Sequence, residues 1–172
     1  MSLENPKEMR VLVIEDHAEM RSSVRSMINR FGCEQVDIVL NGEEALTNLK
    51  NNDYDMVLSD YELGKGMDGQ QVLEETRKNN YIRNGSVYLM ITAAQTMDMV
   101  MGAIEYHPDG YLAKPITYDT LKFRVNKIIK FKKQFTDIYT AMDQGNVEQA
   151  LNECDRLIVS DPKLVMPLVP PV

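Results

Sequence analysis

Apolar positions along this chain follow two alternating rhythms. Short, largely apolar runs occur at residues 11–14 (VLVI), 36–39 (VDIV), 55–60 (DMVLSD), 87–92 (VYLMIT) and 110–114 (GYLAK). The first, β-branched and aliphatic, lacks polar alternation, as expected of a strand covered on both faces. Between them the spacing changes to that of helices. Met20, Val24, Met27, Ile28 and Phe31 share one helical face, closed by Gly32. Asn41-Gly42 turns the chain into a helix carrying Ala45, Leu46 and Leu49, and a third helix carries Val72, Leu73 and Thr76. Further helices are expected near 97–106 and over 118–133. Five strands alternating with five helices predict an α/β fold, a parallel sheet with right-handed crossovers and helices on both faces. Residues 1–8 are polar and expected to fray.

Bulk composition narrows the classes. The chain has 172 residues, 44% of them apolar, enough for one core of ordinary size with a small appendage. A net charge of -7 disfavours non-specific nucleic-acid binding, which depends on neutralising phosphates. Cys33 and Cys154 are far apart, with neither disulfide nor zinc spacing. No apolar run is long enough for a membrane span, and the N-terminal residues lack the apolar region of a secretory signal. These features point to the cytoplasm.

In a doubly wound sheet, ligands bind outside the carboxyl ends of the strands. The residues standing there are Glu15 and Asp16 after the first strand, Asp60 after the third, Thr92 after the fourth and Lys114 after the fifth. The second offers nothing chemical, as suits an edge strand. Crowded carboxylates repel unless a cation intervenes. Hard oxygen ligands suit Mg2+, and an amine and a hydroxyl facing it suit the oxygens of a phosphoryl group. A central carboxylate can itself be the nucleophile and form an acyl phosphate. The loop after Asp60 holds Gly64, Gly66 and Gly69 but not the order of a Walker phosphate loop.

These pieces together resemble the receiver domain of two-component response regulators: Glu15-Asp16, Asp60, Met67-Asp68-Gly69, Thr92-Ala93 and Lys114-Pro115, in that order. The resemblance covers about three quarters of the chain and implies a flavodoxin-like five-stranded sheet of order 2-1-3-4-5. It implies that Asp60 is the phosphoacceptor. Glu15, Asp16, Asp60 and the backbone carbonyl of Glu62 are then the Mg2+ ligands, and Thr92 and Lys114 the partners of the phosphoryl oxygens. It further implies a cis Lys114-Pro115 peptide, and Tyr111 as a switch aromatic that turns inward when Thr92 moves. Glu62 and Ala94, each two residues beyond a site residue, occupy positions that tune acyl-phosphate lifetime in this family. The implied donor is a sensor histidine kinase or a phosphotransfer protein.

The receiver unit is expected over 9–133, followed by a helical hairpin over 134–172. Its first helix carries Phe135, Ile138, Tyr139 and Met142; after Gly145-Asn146, its second carries Ala150, Cys154, Leu157 and Ile158. The second half resembles a tetratricopeptide repeat, in its Gly-Asn turn, Ala150 and closing Asp161-Pro162. One repeat cannot bury its own apolar face. Three explanations stay open: a piece of a longer repeat protein, docking on the receiver, or pairing of two chains. The apolar, proline-rich segment 164–172 fits the first two. Lys122, Arg124, Lys127, Lys130, Lys132 and Lys133 read as a solvated helix face rather than a DNA-binding one, since no second helix-turn-helix unit follows. Met97, Met99 and Met101 suit either packing or an adaptable partner face.

The expected function is thus a signalling receiver that catalyses only its own phosphorylation and dephosphorylation, with output by protein contact. Two alternatives remain. A Mg2+-dependent phosphatase with an aspartyl nucleophile would want a second Asp two residues after Asp60, where Glu62 stands. A phosphorylation-independent binding module would not need the full acid, Thr and Lys set.

Overall fold

A computed structural model describes residues 5–93 and 106–161 of the chain. The expected helix near 97–106, its methionines, Ala94 and the segment 164–172 lie outside the described residues. The strands are β1 (Arg10–Ile14), β2 (Gln35–Val39), β3 (Met56–Asp60), β4 (Val87–Ala93) and β5 (Gly110–Lys114). The described helices are α1 (Ala18–Phe31), α2 (Gly42–Asn51), α3 (Gly69–Lys78), α4 (Tyr118–Lys133), α5 (Thr136–Asp143) and α6 (Val147–Ser160). The sheet is wholly parallel, ordered β2-β1-β3-β4-β5, the flavodoxin-like arrangement.

Strand side chains alternate between two apolar layers. Val11, Val13, Met56, Leu58, Leu89 and Ile91 pack with α1 and α4, through Val24, Ile28, Leu121, Val125 and Ile129. Leu12, Ile14, Val57, Tyr88 and Met90 pack with α2 and α3, through Ala45, Leu49, Val72 and Leu73. Each fully buried aliphatic side chain contributes about 1.5–3 kcal/mol. Double coverage explains the unbroken apolar runs. It also leaves the strand ends as the places where polar side chains can gather.

Two expectations are corrected. From Asn5 onward the N-terminal segment is ordered rather than frayed: Pro6–Glu8 form a 3-10 turn capped by the Asn5 side chain, and Met9 is fully buried, while residues 1–4 lie outside the described residues. Pro6 rests over Gly32 at the end of α1. Nor does Lys132 lie on a solvated face. The same period that turns Leu121, Val125, Ile128 and Ile129 inward carries Lys132 inward. Its ammonium donates to the carbonyls of Ser86 at 2.7 Å and Asn84 at 3.1 Å, and pairs with Asp109 at 2.7 Å.

This buried lysine sits at the amino ends of β4 and β5. There α5 returns to the receiver: Tyr139 stacks over Lys132, and Asp143 accepts two hydrogen bonds from Asn84. Of the explanations left open, docking is thus what α5 displays. The α5–α6 pair closes at Gly145-Asn146, with Asn146 capping α6. It leaves an apolar groove of about 350 Å³ lined by Phe131, Phe135, Ile138, Cys154, Leu157 and Ile158. Both cysteines are free. Among the described residues, no helix is long and apolar enough to cross a membrane.

Candidate functional site

The register decides what meets at the carboxyl edge. Ile14 pairs with Ser59 and with Val39, so the chain leaves β1 at Glu15 beside the end of β3. Glu15 stays tied to the sheet through its N–H to Val39 O at 3.2 Å. Asp60 pairs with Ile91, Thr92 with Ala113 and Ala93 with Lys114. Three strand ends thereby converge on Asp60.

The loop beyond Asp60 is held close by backbone contacts. Tyr61 N donates to Ile91 O at 2.8 Å, and Gly69 N to Tyr61 O at 2.9 Å. A Cβ on Gly69 would lie 2.1 Å from Asp60 O, so only glycine fits where α3 begins. Asp68 caps that helix in a reciprocal capping box with Gln71. Gly64, at φ +70°, brings the loop to the Asp16 carboxylate, where a Cβ would stand 3.0 Å from Oδ2. Arg21 reaches back from α1 to donate to the carbonyls of Glu15 and Asp16, fixing the acidic pair from behind.

Asp60 is 1% exposed and Glu15 0%. Lys114 Nζ donates to Asp60 Oδ2 at 2.6 Å and stands 3.8 Å from Glu15 Oε2. One ammonium thus contacts two carboxylates and feels the charge of a third, Asp16. Glu15 Oε1 accepts the backbone N–H of His17 at 3.1 Å, but Glu15 Oε2 is buried without a hydrogen-bond partner. Burial, foremost, holds the Glu15 carboxyl above its ordinary range; the His17 N–H pulls it back, Asp60 and Asp16 push it further up, and Lys114 opposes them. For Lys114, burial pulls the ammonium down, but the hydrogen bond and charge of Asp60, with Glu15 and Asp16, outweigh it and raise it overall. Excess negative charge with an orphaned buried oxygen is the environment of a hard divalent cation. Ligand atoms of Glu15, Asp16, His17 and Asp60 lie within 4.8 Å of one another. The donor set therefore fits Mg2+.

The other expected residues stand nearby. Thr92 is 2% exposed at the same edge, with its hydroxyl donating to Ala93 O at 3.2 Å. Glu62 is exposed on the loop. Tyr111 packs against the apolar layer containing Tyr88 and Met90, and its hydroxyl is enclosed without a hydrogen-bond partner. Lys114-Pro115 is cis. His17 is the site residue that the sequence reading missed. Its Nδ1 lies 2.5 Å from Asp16 Oδ1 and 3.4 Å from Glu15 Oε1, and this contact with Asp16 raises the imidazole above its ordinary pKa. The signal was its place directly after the acidic pair.

Comparison with known proteins gives the same picture. The model of the response regulator receiver domain family matches residues 11–126. The chemotaxis protein CheY-3 of Vibrio cholerae is 32% identical over 124 residues, covering 72% of this chain and 94% of its own length. The N-terminal domain of a response regulator/sensory box/GGDEF protein from Carboxydothermus hydrogenoformans is 25% identical, with TM-score 0.60, covering 72% of this chain and 96% of that one. The receiver domain of a Pseudomonas aeruginosa sensor histidine kinase, solved with a magnesium ion in its active-site cleft, is 23% identical with TM-score 0.62; the match covers 71% of this chain and 98% of that one. From residue 11 to residue 126, then, the chain belongs to the response regulator receiver domain family.

Proposed function

We propose that Asp60 accepts a phosphoryl group from a phosphohistidine, carried by a sensor histidine kinase or a phosphotransfer protein, and that this switches a protein-interaction surface. The observation that carries this reading is the buried Asp60 held by Lys114 at 2.6 Å, beside a second buried carboxylate with an orphaned oxygen. An Asp60 oxygen attacks phosphorus as the phosphorus–nitrogen bond breaks, and the donor imidazole leaves with that electron pair. The product is an acyl phosphate. Glu15, Asp16 and Asp60, with the Glu62 backbone carbonyl, are the residues that hold Mg2+. Bound there, Mg2+ offsets the charge on the phosphoryl oxygens.

The chain's own groups do the rest. Lys114 is already paired to the attacking carboxylate and passes to a phosphoryl oxygen once the bond forms. Thr92 exchanges its weak contact with Ala93 O for another phosphoryl oxygen. Tyr111, on the adjacent strand, responds to the space Thr92 vacates, which gives a two-state element that phosphorylation biases. The receiver spans 9–133. The helix pair over 134–172 carries the output by contact with a protein, which for a homodimer is a second copy of the chain.

Labelling with a small acyl-phosphate donor in Mg2+, followed by hydroxylamine, tests the chemistry. An acyl phosphate on Asp60 is cleaved by hydroxylamine. A label that survives it lies on another residue type and contradicts the reading.

A further inference from the structure

His17 stands where a residue ahead of a helix normally spends its side chain on the helix N–H groups. It has the extended backbone of that position, φ -87° and ψ 120°, yet its side chain makes no capping hydrogen bond. The ring instead turns back toward the acidic pair, bringing Nδ1 to Asp16 Oδ1 and Glu15 Oε1. Its backbone N–H holds the other side of the Glu15 carboxylate, so ring and pocket are fixed by the same short segment. The pocket has independent marks of a cation site: Glu15 is fully buried and its Oε2 lacks a hydrogen-bond partner.

We propose that His17 Nδ1 is a ligand of the divalent cation held by Glu15, Asp16 and Asp60, and that it tilts the pocket toward a transition ion such as Mn2+ over Mg2+. The inference rests on the acidic pocket being a cation site, as proposed above. Two ligands on opposite sides of an ion, at about 2.0–2.6 Å each, stand about 4.0–5.2 Å apart. The four donor atoms lie within that limit, and the proton that Nδ1 now shares with Asp16 Oδ1 leaves to solvent as the ion takes its place. Carboxylate oxygens alone suit Mg2+ and Mn2+ alike, but an imidazole nitrogen favours first-row transition ions. Mg2+ dehydrates reluctantly and keeps water in place of such a ligand. The side chain is 73% exposed, so the ring can adjust by the fraction of an ångström that ligation asks. A ring fixed at the mouth of a pocket with three carboxylates thus adds selectivity rather than bulk affinity.

The full chain and His17→Ala would be titrated with Mn2+ and with Mg2+, reading bound Mn2+ by electron paramagnetic resonance and both ions by calorimetry. Pulsed measurements on bound Mn2+ would read coupling to a directly bonded nitrogen. The expected result is tighter binding of Mn2+ than Mg2+ and a nitrogen coupling in the native chain. In His17→Ala the coupling disappears and Mn2+ affinity falls at least about tenfold, the loss typical even for outer partners of a ligand. Mg2+ affinity changes far less. Because His17 caps nothing, the variant keeps its fold, which its melting curve checks. Mn2+ bound without nitrogen coupling, or equal losses for both ions, overturns the proposal and leaves the acidic pocket standing. Failure of either ion to bind the native chain overturns both.

Discussion

Each edge of the sheet sets a lysine against carboxylates, and the two are built to opposite ends. At the amino edge, Asp109 Oδ2 accepts the Tyr88 N–H at 2.7 Å with Arg77 nearby, and its Oδ1 faces Lys132. Asp55 likewise accepts the Arg10 N–H and Arg83. Lys132 spends its ammonium on two carbonyls and one carboxylate. At the carboxyl edge, Lys114 faces Asp60 and Glu15, the exposed His17 ring contacts Asp16, and the buried Glu15 Oε2 has no hydrogen-bond partner. Apart from Arg83 Nε, the amino edge is a satisfied network that locks the structure, whereas crowded acids with an orphaned carboxylate oxygen store a demand that a cation can meet. The first edge anchors α5; the second waits for a cation and a phosphoryl group.

Breaking the locked edge has the largest effect on stability. Lys132→Met leaves Asp109 and the carbonyls of Asn84 and Ser86 short of their donor and costs about 3 kcal/mol, as for removing one partner of a buried pair. Chemical denaturation gives the magnitude. The loss should be the same with and without Mg2+, because the two edges are separate.

The waiting edge should respond to the ion instead. At ten times its dissociation constant, Mg2+ adds about 1.4 kcal/mol, or about 3–6 °C in Tm for a chain of this size. Glu15→Gln removes one of the crowded charges and should abolish most of that rise without lowering the ion-free Tm, since burial already disfavours ionised Glu15. A melting series in Mg2+ checks both variants. An equal Mg2+ response from Glu15→Gln would mean that the orphaned oxygen does not face the ion.

Burial more than charge governs the last effect, which is silent at neutral pH. Cys33, 1% exposed in the layer under α1, has its thiol pushed up to about 11 by burial first and by Asp55 second. The folded chain therefore holds that proton longer than the unfolded chain, whose thiol titrates near 9.0. Its contribution is intact below pH 9 and is lost as pH rises toward 11. Near pH 8, Cys33 should resist alkylation while the partly exposed Cys154 reacts, as peptide mapping would read.

The difference between the edges also explains what the sequence disclosed. Strand ends announce themselves, because an apolar run that stops at Asp60 or Lys114 marks a boundary readable in one dimension. The fold followed from the same runs, down to the bounds of α4 (Tyr118–Lys133). Lys132 was hidden because its meaning depends on Asp109 and Ser86, distant in the chain, although its spacing from Ile128 and Ile129 already put it on the inward face. His17 was hidden for the reverse reason. A lone histidine beside acids reads as a solvated residue until the backbone shows which way the ring turns. The turn Gly145-Asn146 was legible from residue type, but the seat of α5 against Asn84 and Lys132 rests on contacts that no local pattern encodes.

Asp60 is, in this reading, the residue that takes the phosphoryl group. Intact-mass measurement after incubation with a small acyl-phosphate donor tests it most directly, on the native chain and on Asp60→Asn, each with Mg2+ and with a chelator. The native chain should carry one phosphoryl adduct in Mg2+ and little with the chelator, and Asp60→Asn should carry none. An adduct that persists unchanged on Asp60→Asn would contradict it.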